Sequence, residues 1–215
     1  MNVLYLHGFA SSPTSSKATF FRQRFEERGH VIVVPDLNEG GFEHLTISRM
    51  RGVVNDLLAA MVGPRIVVGS SLGGYVAALC AAEASLDGLV LLAPAFDPVS
   101  RWTAMAKPGE LAQWERDGTA FFDHHAFKCK MPLRYDFFVD AGGHAPWPPS
   151  AVPTLVLQGL RDETVPVETA REYARRNPHV VLREIDTDHE MLGALPGMWD
   201  EVSAFLSART AVGRC

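Results

Sequence analysis

Six short, largely aliphatic runs set the frame of this chain: Val3 to Leu6, Val31 to Val34, Arg65 to Val68, Leu89 to Leu92, Thr154 to Leu157 and Val180 to Ile185. Inside each run the apolar residues are consecutive rather than alternating. That is the pattern of strands covered on both faces, as in a parallel sheet flanked by helices. Between the runs lie helical periods: Ala18, Phe21 and Phe25; Met50, Val54, Leu57, Leu58 and Met61; Leu72, Val76 and Leu79; and Met198, Val202 and Phe205. Strand and helix alternate almost throughout, which predicts an α/β fold: a mostly parallel six-stranded sheet in the chain order 2-1-3-4-5-6. With 215 residues, 47% of them hydrophobic, one domain spanning 1–215 can bury a core without disulfides or a structural metal.

The rhythm breaks between the fourth and fifth runs. Residues 97–152 are too many for a plain connection, and nine aromatic side chains fall between 101 and 150. A segment of that length in a compact domain is expected to act as a lid or carry its own helices, so a small cap over about 97–152 is predicted. Its rings, among them Trp102, Phe121, Phe122 and Tyr135, read mostly as packing between cap and sheet.

Composition removes several classes of partner. The net charge is −5 and the 20 Lys and Arg are scattered, so no basic stripe faces a nucleic-acid backbone. No apolar stretch approaches the roughly 20 residues of a membrane span. Cys80, Cys129 and Cys215 are odd in number, widely spaced and lack any C-x-x-C, which suits a reducing compartment. With no basic leader or cleavage pattern at the start, the cytoplasm is the expected location. Asp123, His124, His125 and Cys129 match no zinc spacing, so no metal site is expected there. Arg171, Arg175 and Arg176 read as a solvated helix face. Nothing in the sequence sets an oligomeric state.

The chemistry is concentrated in a few turns. After the third run comes Gly69-Ser70-Ser71-Leu72-Gly73-Gly74, leading directly into a helical period. Gly69-x-Ser71-x-Gly73 on a strand-to-helix turn is the setting of a nucleophile elbow, where the serine is held in a strained backbone and neighbouring Cβ atoms would clash. A glycine-rich turn for close packing or a phosphate is the alternative, but neither a Walker lysine nor G-x-G-x-x-G is present. The spacing puts Ser71, not Ser70, at the apex.

A serine hydroxyl needs a base. Of eight histidines, His189 follows the sixth run in Asp188-His189-Glu190, which places it at the carboxyl edge of the sheet beside Ser71. His30 and His179 precede strands and belong to the opposite edge. The base needs an acid to hold its tautomer, and Asp162, just past the fifth run, is the candidate. A helix N-terminal carboxylate is the plain alternative for Asp162, and Asp97 is the rival acid. The first run ends in His7-Gly8-Phe9 at the topological switch point, so the backbone N–H groups of Phe9 and Leu72 are expected to form an oxyanion hole, with His7 pinning the loop.

His7-Gly8-Phe9, Gly69-x-Ser71-x-Gly73, Gly159-x-x-Asp162-x-x-Val165-Pro166 and Asp188-His189, in that order, resemble the α/β-hydrolase superfamily. The similarity is to its compact bacterial serine esterases that begin at the His-Gly strand, and it covers nearly the whole chain. Leu4 to Phe9 with Ser11-Ser12-Pro13 and Ser16-Lys17-Ala18 looks like a small esterase-like subgroup. The first two strands of the full-sized fold are absent, and the cap carries no recognisable substrate pattern. The resemblance implies acyl transfer through a Ser71-His189-Asp162 triad and an acyl-enzyme, with no metal or organic cofactor. The short aromatic cap, rather than the resemblance, points to a small-molecule ester with small to medium acyl groups. A thioesterase would use the same residues, and a non-catalytic small-molecule-binding scaffold is the alternative from another class.

Overall fold

The computed structural model describes residues 1–212. The chain runs through β1 (Asn2–Leu6), α1 (Ser16–Glu26), β2 (Val31–Val33), a 3₁₀ turn at Phe42–His44, α2 (Ile47–Ala60), β3 (Arg65–Ser70), α3 (Leu72–Ala81) and β4 (Gly88–Leu92). After an insertion it resumes with β7 (Thr154–Gly159), α7 (Val167–Arg176), β8 (Val181–Ile185) and α8 (Leu195–Val212). The insertion holds α4 (Pro98–Met105), α5 (Glu110–Asp117), β5 (Thr119–His124), β6 (Cys129–Arg134) and α6 (Asp136–Gly142).

Six strands form one parallel sheet in the order β2-β1-β3-β4-β7-β8. This is the predicted order, with β7 and β8 as the fifth and sixth runs. Successive residues of a strand point to opposite faces, and here each face meets its own helices. Leu4, Leu6, Val67, Leu89, Leu91 and Val156 pack with α2, α3 and the insertion. Val3, Tyr5, Ile66, Val68, Val90, Leu92, Leu155 and Leu157 pack with α1 and α8. Two buried faces per strand are why the runs of β1, β3, β4 and β7 are continuous, whereas β2 and β8 at the edges are partly exposed. Helix α3 is buried along its whole length, which fits its run of Gly, Ala, Val and Leu.

The insertion differs from expectation in one respect. Besides helices it contains an antiparallel hairpin, β5 with β6, registered Thr119↔Arg134 through His124↔Cys129. Its outward positions include the exposed Phe121 and its turn Phe127, so apolar residues do not mark one face and the period-2 signal is blurred. Trp114 is pinned beneath it, its indole N–H donating to the Leu133 carbonyl at 2.9 Å. Among the described residues no helix is long and apolar enough to cross a membrane. Cys80 is buried and Cys129 exposed, both free thiols, while Cys215 lies outside the described residues.

Candidate active site

The site is assembled at the carboxyl edge of the sheet, where β1, β3, β7 and β8 all end. Ser71 stands between β3 and α3 with φ 52° and ψ −119°, a conformation costing on the order of 1–3 kcal/mol that persists only where its surroundings hold it. They do: its N–H donates to the Leu92 carbonyl at 2.8 Å, and its own carbonyl accepts from the amides of Gly74, Tyr75 and Ala95. The flanking glycines are required by space. A Cβ on Gly69 would lie 2.5 Å from the Gly73 carbonyl oxygen, and one on Gly73 would drive into the Leu6 and His7 carbonyl oxygens.

His189, in the loop after β8, turns its ring between two partners. Nδ1 is 2.7 Å from Asp162 Oδ2, and Nε2 is 3.2 Å from Ser71 Oγ. A carboxylate accepts only, so Nδ1 carries the proton in the neutral ring and Nε2 presents its lone pair to the serine hydroxyl. Asp162 is fully buried at its side chain. Its Oδ1 accepts the amides of Thr164 (2.9 Å) and Val165 (2.6 Å), and its Oδ2 also accepts from Gln158 Nε2 (3.0 Å). The structure therefore brings Ser71, His189 and Asp162 into one hydrogen-bonded chain. Asp97, the rival acid, instead heads α4 with a left-handed backbone.

Gly8 lies against Ser71, so close that a Cβ there would sit 3.3 Å from the serine Cβ. Phe9 N–H donates to no backbone carbonyl among the described residues, and Leu72 opens α3, where the first amides lack intrahelical acceptors. Beyond Ser71 opens a cavity of about 370 Å³ walled by Phe9, Trp102, Leu111, Trp114, Phe122 and Val165. Phe9 is its hinge to the insertion, with ring centroids 5.3 Å from Trp102 and 5.7 Å from Phe122. Trp102, Phe121 and Phe122 thus wall a cavity rather than only packing, whereas Tyr135 packs on Trp114 and Phe138.

A model of the Uncharacterised protein family UPF0227 matches residues 2–206. The chain belongs to that family. This UPF0227 member is 27% identical over 218 residues to the palmitoyl-protein thioesterase ABHD10, mitochondrial, of mouse, across 88% of this chain and 69% of the other. The human protein of that name is 26% identical over 208 residues, across 88% and 67%. Among solved structures it is similar to alpha/beta hydrolase domain-containing protein 10 from mouse, with a TM-score of 0.80 and 22% identity over 96% of this chain and 90% of that one. Ferulic-acid-bound Est1E from Butyrivibrio proteoclasticus superposes with a TM-score of 0.81 and 19% identity, over 98% and 89%. The fold of this UPF0227 chain is the α/β-hydrolase fold.

Two residues of the site escaped the sequence reading. Lys17, in the first turn of α1, is buried, and its Nζ donates to the His189 carbonyl at 3.2 Å. Desolvation pulls its ammonium below the usual lysine range, opposed by the negative charges of Glu190, Asp162 and Asp188. Gln158 bridges from β7 to both Asp162 and the Val165 carbonyl, tying the acid loop to the strand. A glutamine inside an otherwise aliphatic run was the available signal for the second; the first had only its place beside the buried stripe of α1.

Other candidates fall outside the site. His7 holds the loop from within: Nδ1–H donates to the Gly8 carbonyl at 2.9 Å and Nε2 accepts the Leu37 amide at 3.0 Å. The bond at Nε2 needs the neutral ring, and burial lowers its pKa, opposed by the Gly8 bond and by Asp36. Among the described residues no three metal-ligating side chains cluster; His124 is wedged between Phe42 and Phe127, and Asp123 pairs with Lys130. Arg171, Arg175 and Arg176 form surface ion pairs with Glu184 and Glu172.

Proposed function

We propose that this protein is a serine esterase that hydrolyses carboxylic esters of small to medium acyl groups through an acyl-enzyme. The observation that carries the proposal is the unbroken chain from Asp162 Oδ2 through the His189 ring to Ser71 Oγ, at 2.7 and 3.2 Å. Ser71 Oγ bonds to the substrate carbonyl carbon as its proton passes to His189 Nε2. The resulting oxyanion meets the Phe9 and Leu72 amides, whose preorganised dipoles stabilise the charge as it develops. The bond to the leaving oxygen then breaks, and the proton on Nε2 goes to that oxygen. Water, deprotonated by His189, attacks the acyl carbonyl, and Ser71 Oγ departs with the proton. Asp162 stays ionised throughout and steadies the imidazolium.

A second reading is thioester hydrolysis, which the same steps accommodate with sulfur as the leaving atom. It is favoured by the ABHD10 relatives, whose names describe palmitoyl-protein thioesterases. The free thiols Cys80 and Cys129 suit a reducing compartment, which we take to be the cytoplasm. The test is turnover of p-nitrophenyl esters from acetate to decanoate, with matched thioesters. Wild type is expected to be active and Ser71→Ala to lose about 10⁴-fold or more in kcat, the scale on which a triad nucleophile acts. Equal activity of the two proteins would remove Ser71 as nucleophile; the oxygen-to-sulfur rate ratio decides between the two readings.

A further inference from the structure

We propose that the cavity on the His189 side of Ser71 is the leaving-group subsite and that it selects an uncharged, hydrogen-bonding alcohol or thiol, so that the substrates are apolar acyl groups carried on polar leaving groups. This rests on the acyl-transfer reading above. Two cavities meet at Phe9, Ser71 and Thr164. The first is the aromatic cavity of about 370 Å³; the second, about 590 Å³, is lined by His189 and Glu190, which do not line the first.

Proton transfer assigns the two. The leaving atom receives its proton from His189 Nε2 and must lie within hydrogen-bond reach of it, roughly 2.6–3.2 Å. It therefore sits on the His189 side, and the acyl chain is left with the aromatic cavity.

The wall of the second cavity is of a different chemistry. The loop from β1 to α1 reads Ser11-Ser12-Pro13-Thr14-Ser15-Ser16, and all five of its hydroxyl residues line the cavity, as does His125, whose amide donates to the Ala10 carbonyl at 2.9 Å. Some already have partners within the loop: Ser12 Oγ and Thr14 Oγ1 are 3.0 Å apart, and Ser15 Oγ accepts the Ala18 amide at 3.4 Å. A hydroxyl with one such bond still has capacity for another. An alkyl leaving group seated here would take water from these groups and return no hydrogen bond, which opposes its binding. The wall also sets the charge. Among the described lining residues the one ammonium, Lys17, is bonded to the His189 carbonyl and faces the charges of Glu190, Asp162 and Asp188, and Glu190 itself lines the cavity, so this wall disfavours an anionic leaving group.

The test uses four butanoyl esters: p-nitrophenyl, 1-glyceryl, hexyl and the ester of glycolate, each kcat/KM divided by that ester's own hydroxide-catalysed rate. The glyceryl ester is expected to exceed both the hexyl and the glycolate ester by at least about tenfold, since a site built to hydrogen-bond a group rejects analogues lacking it. Thr14→Leu and His125→Leu, both at exposed positions of that wall, should each shrink the glyceryl-to-hexyl ratio at least threefold while leaving the p-nitrophenyl chain-length optimum where it was. A hexyl or glycolate ester that matches or beats the glyceryl ester overturns the proposal, as does a ratio indifferent to both substitutions. Wild type inert on p-nitrophenyl butanoate would bring down the acyl-transfer reading and this inference with it; turnover of that ester without alcohol preference brings down this inference alone.

Discussion

The Lys17 ammonium is taken out of water to donate one bond to the carbonyl of His189, an arrangement that costs free energy unless nearby charge offsets it. Glu190, Asp162 and Asp188 offset part of it. What the bond fixes is the backbone that carries the imidazole, so Lys17 is a positioning residue rather than a participant. Lys17→Met is expected to lower kcat about tenfold with KM nearly unchanged, because small displacements of a catalytic group act on the transition state more than on binding. Lys17→Arg, which keeps a donor and a charge, should recover part of the loss. Steady-state kinetics on a p-nitrophenyl ester decide it, and a pure KM effect or an unchanged rate would rule the role out. Ser71, Asp162 and His189 were readable from the chain because each follows a strand, in a characteristic order. Lys17 was not: lysine is almost never buried, and its partner stands 172 positions away.

At the scale of elements, the turn from β3 to α3 is set by lack of space. Since any Cβ on Gly73 points at the Leu6 and His7 carbonyl oxygens, Gly73→Ala must push β1 away from α3. We expect a destabilisation of about 1–3 kcal/mol or more, the usual range for overpacking. In a chain of this size that is a fall in Tm of roughly 2–4 °C per kcal/mol. Thermal unfolding followed by circular dichroism measures it, and an unchanged Tm would mean that the turn has slack. The same close approach made the elbow legible, because only glycine suits it and glycine is visible in a sequence. The four inner strands of the sheet were legible through their double-sided burial, and the partly exposed edge strands β2 and β8 through their short aliphatic runs alone. The hairpin of β5 and β6 was not, since exposed aromatic positions such as Phe121 erase the alternation by which a one-sided strand is read.

For the molecule as a whole, acid should be the weak side. Burial lowers the pKa of both His7 and His124 from the ordinary 6.5, so the folded protein keeps these rings neutral while the unfolded chain protonates them. Below about pH 6.5 the unfolded state binds more protons, and stability falls as pH drops through the interval down to the lowered folded values; above 6.5 this contribution is constant. Urea midpoints at pH 7.5, 6.5 and 5.5 should decline only over the acid half, and His7→Gln should make that decline shallower. A flat midpoint across the range would contradict the account. One feature of the architecture reaches further. The chain leaves the sheet at β4 and returns at β7, and these two strands are direct neighbours, Leu89 beside Thr154 and Leu92 beside Leu157. Everything between them can lengthen, shorten or be exchanged without moving a rung of the ladder. Ser71, Asp162 and His189 all lie outside that stretch, whereas Trp102, Leu111, Trp114 and Phe122 lie within it. On the proposed reading, the groups that would break the bond stand outside this stretch, while much of the apolar wall beside Ser71 stands within it and shares that wall with Phe9 and Val165; rewriting the stretch would reshape the wall and leave the hydrogen-bonded chain as it stands.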